Sequence, residues 1–132
     1  MRELKHVNRI AANQVLQFSP RGLTVIYGGN GSGKSGYSRV LKRACRARDQ
    51  QENVLADATD AASHKLTPEA LFDIEVGGAA KTVSWKRDIT PPDELSTIAV
   101  FDTHCARAYL TAEQDVAYLP YGLDVVENLA NK

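Results

Sequence analysis

Gly28, Gly33, Lys34 and Ser35 meet the pattern G-x-x-x-x-G-K-[ST] within the stretch GGNGSGKS at 28–35. The chemistry this spacing serves is the holding of phosphate groups. Glycines allow positive φ and let backbone N–H groups approach an anion without interference from a Cβ. Asn30 also tolerates left-handed geometry. A helix beginning near Gly33 would aim its free N–H groups and the positive end of its dipole at the anion. Lys34 is then expected to reach the β- and γ-phosphates, and the Ser35 hydroxyl to ligate Mg²⁺. The expected cradle comprises Gly28, Asn30, Gly31, Ser32, Gly33, Lys34, Ser35 and Gly36, and the expected ligands are ATP and Mg²⁺.

Such a cradle needs a strand before it and a helix after it. LTVIY (23–27) is a continuous apolar run, which predicts a strand buried on both faces of a parallel sheet. After the loop, Tyr37, Val40, Leu41 and Ala44 recur at helical spacing, predicting a helix over 34–47. Its outer face would be basic, with Arg39, Lys42, Arg43 and Arg46. Upstream, 4–10 and 14–18 read as strands separated from 23–27 by the turn SPRG. Residues 48–69, rich in Asp, Ala, Thr and Ser, read as a surface loop or short helices. LFDIEV (71–76) and KTVSWK (81–86), joined by GGAA, predict a hairpin. A proline-stiffened connection leads to STIAVFD (96–102), a second apolar strand ending in an acid, and 123–132 predicts a closing amphipathic helix.

The formal net charge of the 132 residues is zero, but its distribution is uneven. Residues 1–48 hold ten Lys or Arg against one acid, Glu3, while 49–132 hold six bases and fifteen acids. Either the basic half meets a polyanion such as nucleic acid, or the two halves pair on folding. Pairing is the favoured reading. No apolar run is long enough for a membrane span, and the basic N-terminus lacks the apolar stretch of a signal peptide. Cys45 and Cys105 stand alone, without metal-ligand spacing, and read as buried or free thiols of a cytoplasmic protein.

The nucleotide-binding classes separate by what else they need. No N/T-K-x-D follows the loop at the distance a GTPase requires. TIAVFD offers Asp102 in the Walker B manner, as the acid of a compact kinase, but the only later arginine is Arg107, too few for a lid. A transporter-type or SMC-type engine needs an LSGGQ-like signature loop and a strand ending in Asp-Glu, and neither occurs.

LTVIYGGNGSGKSGYSRVLKRACRARD resembles the start of SMC-like, AAA-annotated bacterial ATPases, including DNA-repair, anti-phage and anticodon-nuclease ATPases. Asn30 and Ser32 carry that likeness within the loop, and the 71–86 hairpin and 96–110 follow the same lobe at pattern level. The resemblance implies an α/β P-loop NTPase lobe, a mixed sheet with a small antiparallel hairpin subdomain, spanning 1–132 as an N-terminal fragment. It implies ATP hydrolysis only with a C-terminal lobe supplying signature and Walker B groups, and with a second ATPase subunit. It moves the true Walker B acid to that other lobe. Asp102 could then face the nucleotide or simply cap the next turn, and Gln114 is the candidate for the Mg²⁺-contacting glutamine. A role in nucleic-acid maintenance or defence is implied as well.

Other candidates are weaker. Arg39, Lys42, Arg43, Arg46 and Arg48 could contact nucleic-acid phosphates or pair with acids of 49–60. Trp85 and Phe72 read as hairpin core, His104 beside Cys105 is no metal site by itself, and His6 and His64 are isolated. Two further readings remain open: a self-contained kinase using Asp102, and a nucleotide-sensing interaction module.

Overall fold

The computed structural model of the chain describes residues 1–11, 13–60 and 62–111. Gln114 and the helix expected over 123–132 lie outside the described residues. The hairpin is present and longer than its sequence signal. β2 (Glu69–Val76) pairs along its whole length with β3 (Ala79–Lys86), from Glu69 opposite Lys86 to Val76 opposite Ala79. Only Gly77 and Gly78 form the turn, at φ 60° and 82°. Two successive positive-φ residues give a turn whose twist matches that of the flanking strands.

β1 (Arg2–Lys5) joins the other edge of β2, giving an antiparallel sheet of order β1-β2-β3. The strands expected over 4–10 and 14–18 are reduced to β1 and one bridge, Arg2 to Val15. Beside that bridge the backbones of Met1 and Leu16 exchange hydrogen bonds of 2.9 and 2.8 Å. Glu3 takes positive φ inside β1, where the register with β2 shifts between Arg2 and Lys5, and beyond the strand His6 and Asn8 take positive φ, away from strand geometry. Among the described residues of 48–68 there is one 3₁₀ turn, Ser63–Lys65, and the rest is irregular up to β2.

Alternation along the hairpin decides which side is core. Ala70, Phe72, Val83 and Trp85 are buried, while Asp73, Ser84 and Lys86 are exposed. Val40 and Ala44 of α1 (Lys34–Ala44) join them, together with Met1, Leu4, Val7, Val54 and Leu95. Trp85 is only 1% exposed and Leu95 is sealed completely. Trp85 and Phe72 are therefore core residues, as their pattern suggested.

α1 stops three residues short of its expected end, through a left-handed turn at Arg46 (φ 53°). Ala47 N–H donates to Lys42 C=O at 2.8 Å and Arg46 N–H to Arg43 C=O at 3.4 Å, the double bond of a Schellman ending. Glycine usually fills that position. Here the Arg46 guanidinium holds the turn instead, at 2.7 Å from both Pro91 C=O and the Asp93 carboxylate.

Two apolar runs depart from expectation. Residues 23–27 form no strand, and Leu23 and Tyr27 are 87% and 95% exposed. Residues 96–102 begin inside a 3₁₀ turn (Asp93–Thr97) and also form no strand, with Phe101 71% exposed. A doubly buried strand needs hydrogen-bonded neighbours and covering helices. Among the described residues neither run pairs with a strand. The described chain is thus mixed α/β with a small antiparallel sheet, and the larger mixed sheet does not form among these residues. No helix among them is long and apolar enough to cross a membrane.

Candidate phosphate-binding site

The loop at 28–35 leads directly into α1, as the motif requires. Gly33 is the N-cap at φ 88°, ψ 1°, and no side chain caps the first N–H groups of the helix. Those donors and the positive dipole end face outward, the arrangement that receives an anion. Gly31 also lies at positive φ, 84°. Gly28 has no positive φ, and Ser32 packs over it: a Cβ there would sit 2.5 Å from Ser32 Oγ, so that hydroxyl would have to turn away. Lys34 Nζ folds back over the loop, donating to the carbonyls of Gly28 and of Gly29, the latter at 2.7 Å. Its ammonium thereby braces the loop's own backbone. Ser35 is exposed on the first turn of α1.

The loop forms one wall of a cleft of about 470 Å³, lined by residues 30–35 together with Asn8, Arg9 and Arg39. Asn8 and Arg9 were not legible as site residues. They come from the irregular segment after β1, and it is packing that brings them here. Ile10 lies against Gly33, and Asn8 lies against Gly36 so closely that a Cβ on Gly36 would be 2.8 Å from Asn8 Nδ2. Asn8 N–H is in turn fixed by Leu55 C=O at 2.7 Å. The only sequence signal for this contact is Gly36, a glycine in the first turn of a helix that would gain stability from alanine.

The basic face of α1 is not a free cationic surface. Lys42, expected outside, is buried, its side chain 2% exposed. Its ammonium pairs with Asp49 at 2.9 Å, Glu52 at 3.3 Å and the Asp102 carboxylate. Burial alone would lower its pKa, but hydrogen bonds to Asp102, Asp49 and Glu52 outweigh this and hold the ammonium above its usual range. Arg43 donates to Gln50 C=O at 2.9 Å and Asn53 Oδ1 at 3.2 Å, while Arg46 is held by Asp93. Arg2 with Asp73 and Lys5 with Glu69 repeat the theme on the sheet. The uneven charge distribution is therefore largely an internal pairing of the two halves.

Asp102 sits at the N-terminus of α2 (Thr103–Thr111). Its Oδ1 accepts the Cys105 N–H at 2.8 Å, and its C=O accepts Ala106 N–H at 2.8 Å. The Cys105 N–H first, and then Lys42, hold its carboxyl well below the ordinary carboxylate range. It occupies the capping role. Lys42 lies eight residues past Lys34, about 12 Å of helix rise, so this carboxylate engages α1 well beyond the loop.

Cys45 and Cys105 are both buried and unpaired, and burial pushes the Cys45 thiol up to about 11. His104 is exposed, and no His, Cys, Asp or Glu cluster among the described residues could hold a metal ion. No protein family, no characterised protein and no solved structure matches the chain.

Proposed function

We propose that this chain is the ATP-binding lobe of a P-loop ATPase. The observation that carries the reading is the loop itself: an uncapped helix start behind Gly33, glycines where φ or space demands them, and Lys34 bracing the turn. Arg9 adds positive charge opposite the loop, suited to a polyphosphate. Mg²⁺ fits this donor set only as an ion shared with the phosphates, for which Ser35 would be the protein's ligand, because among the described residues no carboxylate lines the cleft. When bound, it would neutralise phosphate charge. The protein's own part is to bind and orient the phosphates through N–H groups and Lys34.

Hydrolysis also needs a group that positions water and further charge stabilisation. Asp102, the one acid the sequence offered, is engaged by the α2 N-terminus and by Lys42, and we assign it no step. The exposed apolar run 23–27, immediately before the loop, supports a partner lobe or subunit that covers it and supplies the missing groups. In this proposal the P-loop NTPase sheet is completed by that partner. The part played in nucleic-acid maintenance or defence rests on the sequence resemblance alone. A cytoplasmic setting is part of the same proposal.

Calorimetry with Mg²⁺-ATP, alongside phosphate release, tests this on the wild-type chain and on Lys34→Ala. Binding that disappears in the variant, with turnover near background, is expected. Brisk turnover, or transfer to a small acceptor by the isolated chain, would instead favour a self-contained kinase.

A further inference from the structure

One cation of the cleft is left without a task by the motif. Arg39 lies five residues past Lys34, about 7.5 Å of helix rise, and lines the same cleft as residues 30–35 and Arg9. Its bond to Glu52 is slack: Nη2 to Oε1 is 3.5 Å, where charged N–H···O pairs usually close to about 2.8 Å. Its Nε is buried and has no hydrogen-bond partner. An unsatisfied buried donor is unfavourable, so this guanidinium has more to gain from an acceptor than its neighbours supply. Glu52, for its part, does not depend on Arg39. Its other oxygen takes the Lys42 ammonium at 3.3 Å, and Lys42 keeps Asp49 and Asp102 besides.

We infer that Arg39 is a further phosphate-binding residue of this cleft, which a nucleoside polyphosphate draws away from Glu52. The inference rests on the nucleotide reading above and deepens it. The exchange is cheap, because Glu52 retains a cation when Arg39 turns. It is also productive, because the planar fork of a guanidinium matches two phosphate oxygens at once. With Lys34, Arg9 and Arg39 on one cleft, the site suits a triphosphate better than a shorter anion.

Titration of Mg²⁺-ATP and Mg²⁺-ADP into wild type, Arg39→Gln, Arg39→Lys, Glu52→Gln and Lys34→Ala, with thermal unfolding of each, separates the possibilities. Arg39→Gln is expected to weaken ATP binding about tenfold, and ADP binding less. Arg39→Lys should fall between, since it keeps the charge and loses the fork. Glu52→Gln should tighten ATP binding severalfold, by removing the competing carboxylate. That opposite sign is the signature, because a purely structural ion pair would lose stability in both variants and tighten binding in neither. Unchanged affinity in Arg39→Gln, or weakened binding in Glu52→Gln, overturns the inference while loss in Lys34→Ala leaves the nucleotide reading standing. No binding by wild type overturns both. Should Arg39→Gln fail to fold, Arg39→Lys and Glu52→Gln decide by the same signs.

Discussion

The hairpin and the run 23–27 are both apolar, and both lie within reach of a glycine turn, yet one is the heart of the core and the other stands in solvent. β2 and β3 find each other across two glycines, so their pairing closes locally and Phe72, Val83 and Trp85 are buried in one core cluster with Val40, Ala44 and Leu95. Residues 23–27 carry the signature of a strand meant to be covered on both faces, but Leu23, Val25 and Tyr27 remain largely exposed. Antiparallel pairing needs only a turn, whereas a doubly buried parallel strand depends on neighbours distant in sequence. The glycine-rich loop at 28–35 sits between these two regimes. Its helix is anchored in the core through Val40 and Ala44, while the apolar run that leads into it is not.

The sharpest way to break the comparison is mutation in each region. Trp85→Ala should destabilise the chain by about 4 kcal/mol, as removal of a large buried aromatic does. Leu23→Ser or Tyr27→Ser should change stability by no more than about 0.5 kcal/mol. Urea midpoints read both, and similar losses at the two places would refute the contrast.

Next in size is the charged centre beneath α1. Lys42→Ala leaves Asp49, Glu52 and Asp102 facing one another and should cost about 3 kcal/mol. Its pH dependence follows from the directions of the shifts. Asp102 and Asp49 ionise more readily in the folded chain than in the unfolded one. Their contribution is thus whole above about pH 4 and is lost as pH falls further towards their folded values. Lys42 is held above its usual value, so its share is whole below about pH 10.4 and is lost as pH rises beyond. Urea midpoints followed across pH should therefore show an acid limb that Asp102→Asn makes shallower. An unchanged acid limb would mean that this ion cluster contributes nothing.

The smallest effect on stability and the clearest on association belongs to the exposed run. Replacing Leu23, Val25 and Tyr27 together by Ser should lower binding of an apolar dye and lower any concentration-dependent sedimentation, with the fold retained. Dye binding unaffected by the triple change would place the sticky surface elsewhere.

What the sequence could reveal tracks the range of the interaction concerned. The start of α1 and the hairpin are local codes, and the stripe Tyr37–Val40–Leu41–Ala44 and the two runs LFDIEV and KTVSWK joined by GGAA made them legible. The early stop of α1 was hidden, because an arginine holds the position that glycine normally marks. Lys42 was misplaced for a related reason: helical spacing assigns a lysine to the outer face and cannot foresee three carboxylates arriving from 49, 52 and 102. Asn8, Arg9 and Arg39 as cleft residues depend on how the segment after β1 drapes over Gly33 and Gly36. The runs at 23–27 and 96–102 carry the pattern of strands, but neither pairs with a strand among the described residues.

In the proposed function the backbone at 30–35 receives phosphates at the uncapped start of α1. Following backbone amide resonances through a Mg²⁺-ATP titration tests it most directly. Gly31, Gly33, Lys34 and Ser35 should shift most and saturate together, and the response should vanish in Lys34→Ala. Amides that stay still at these positions while others move would contradict it.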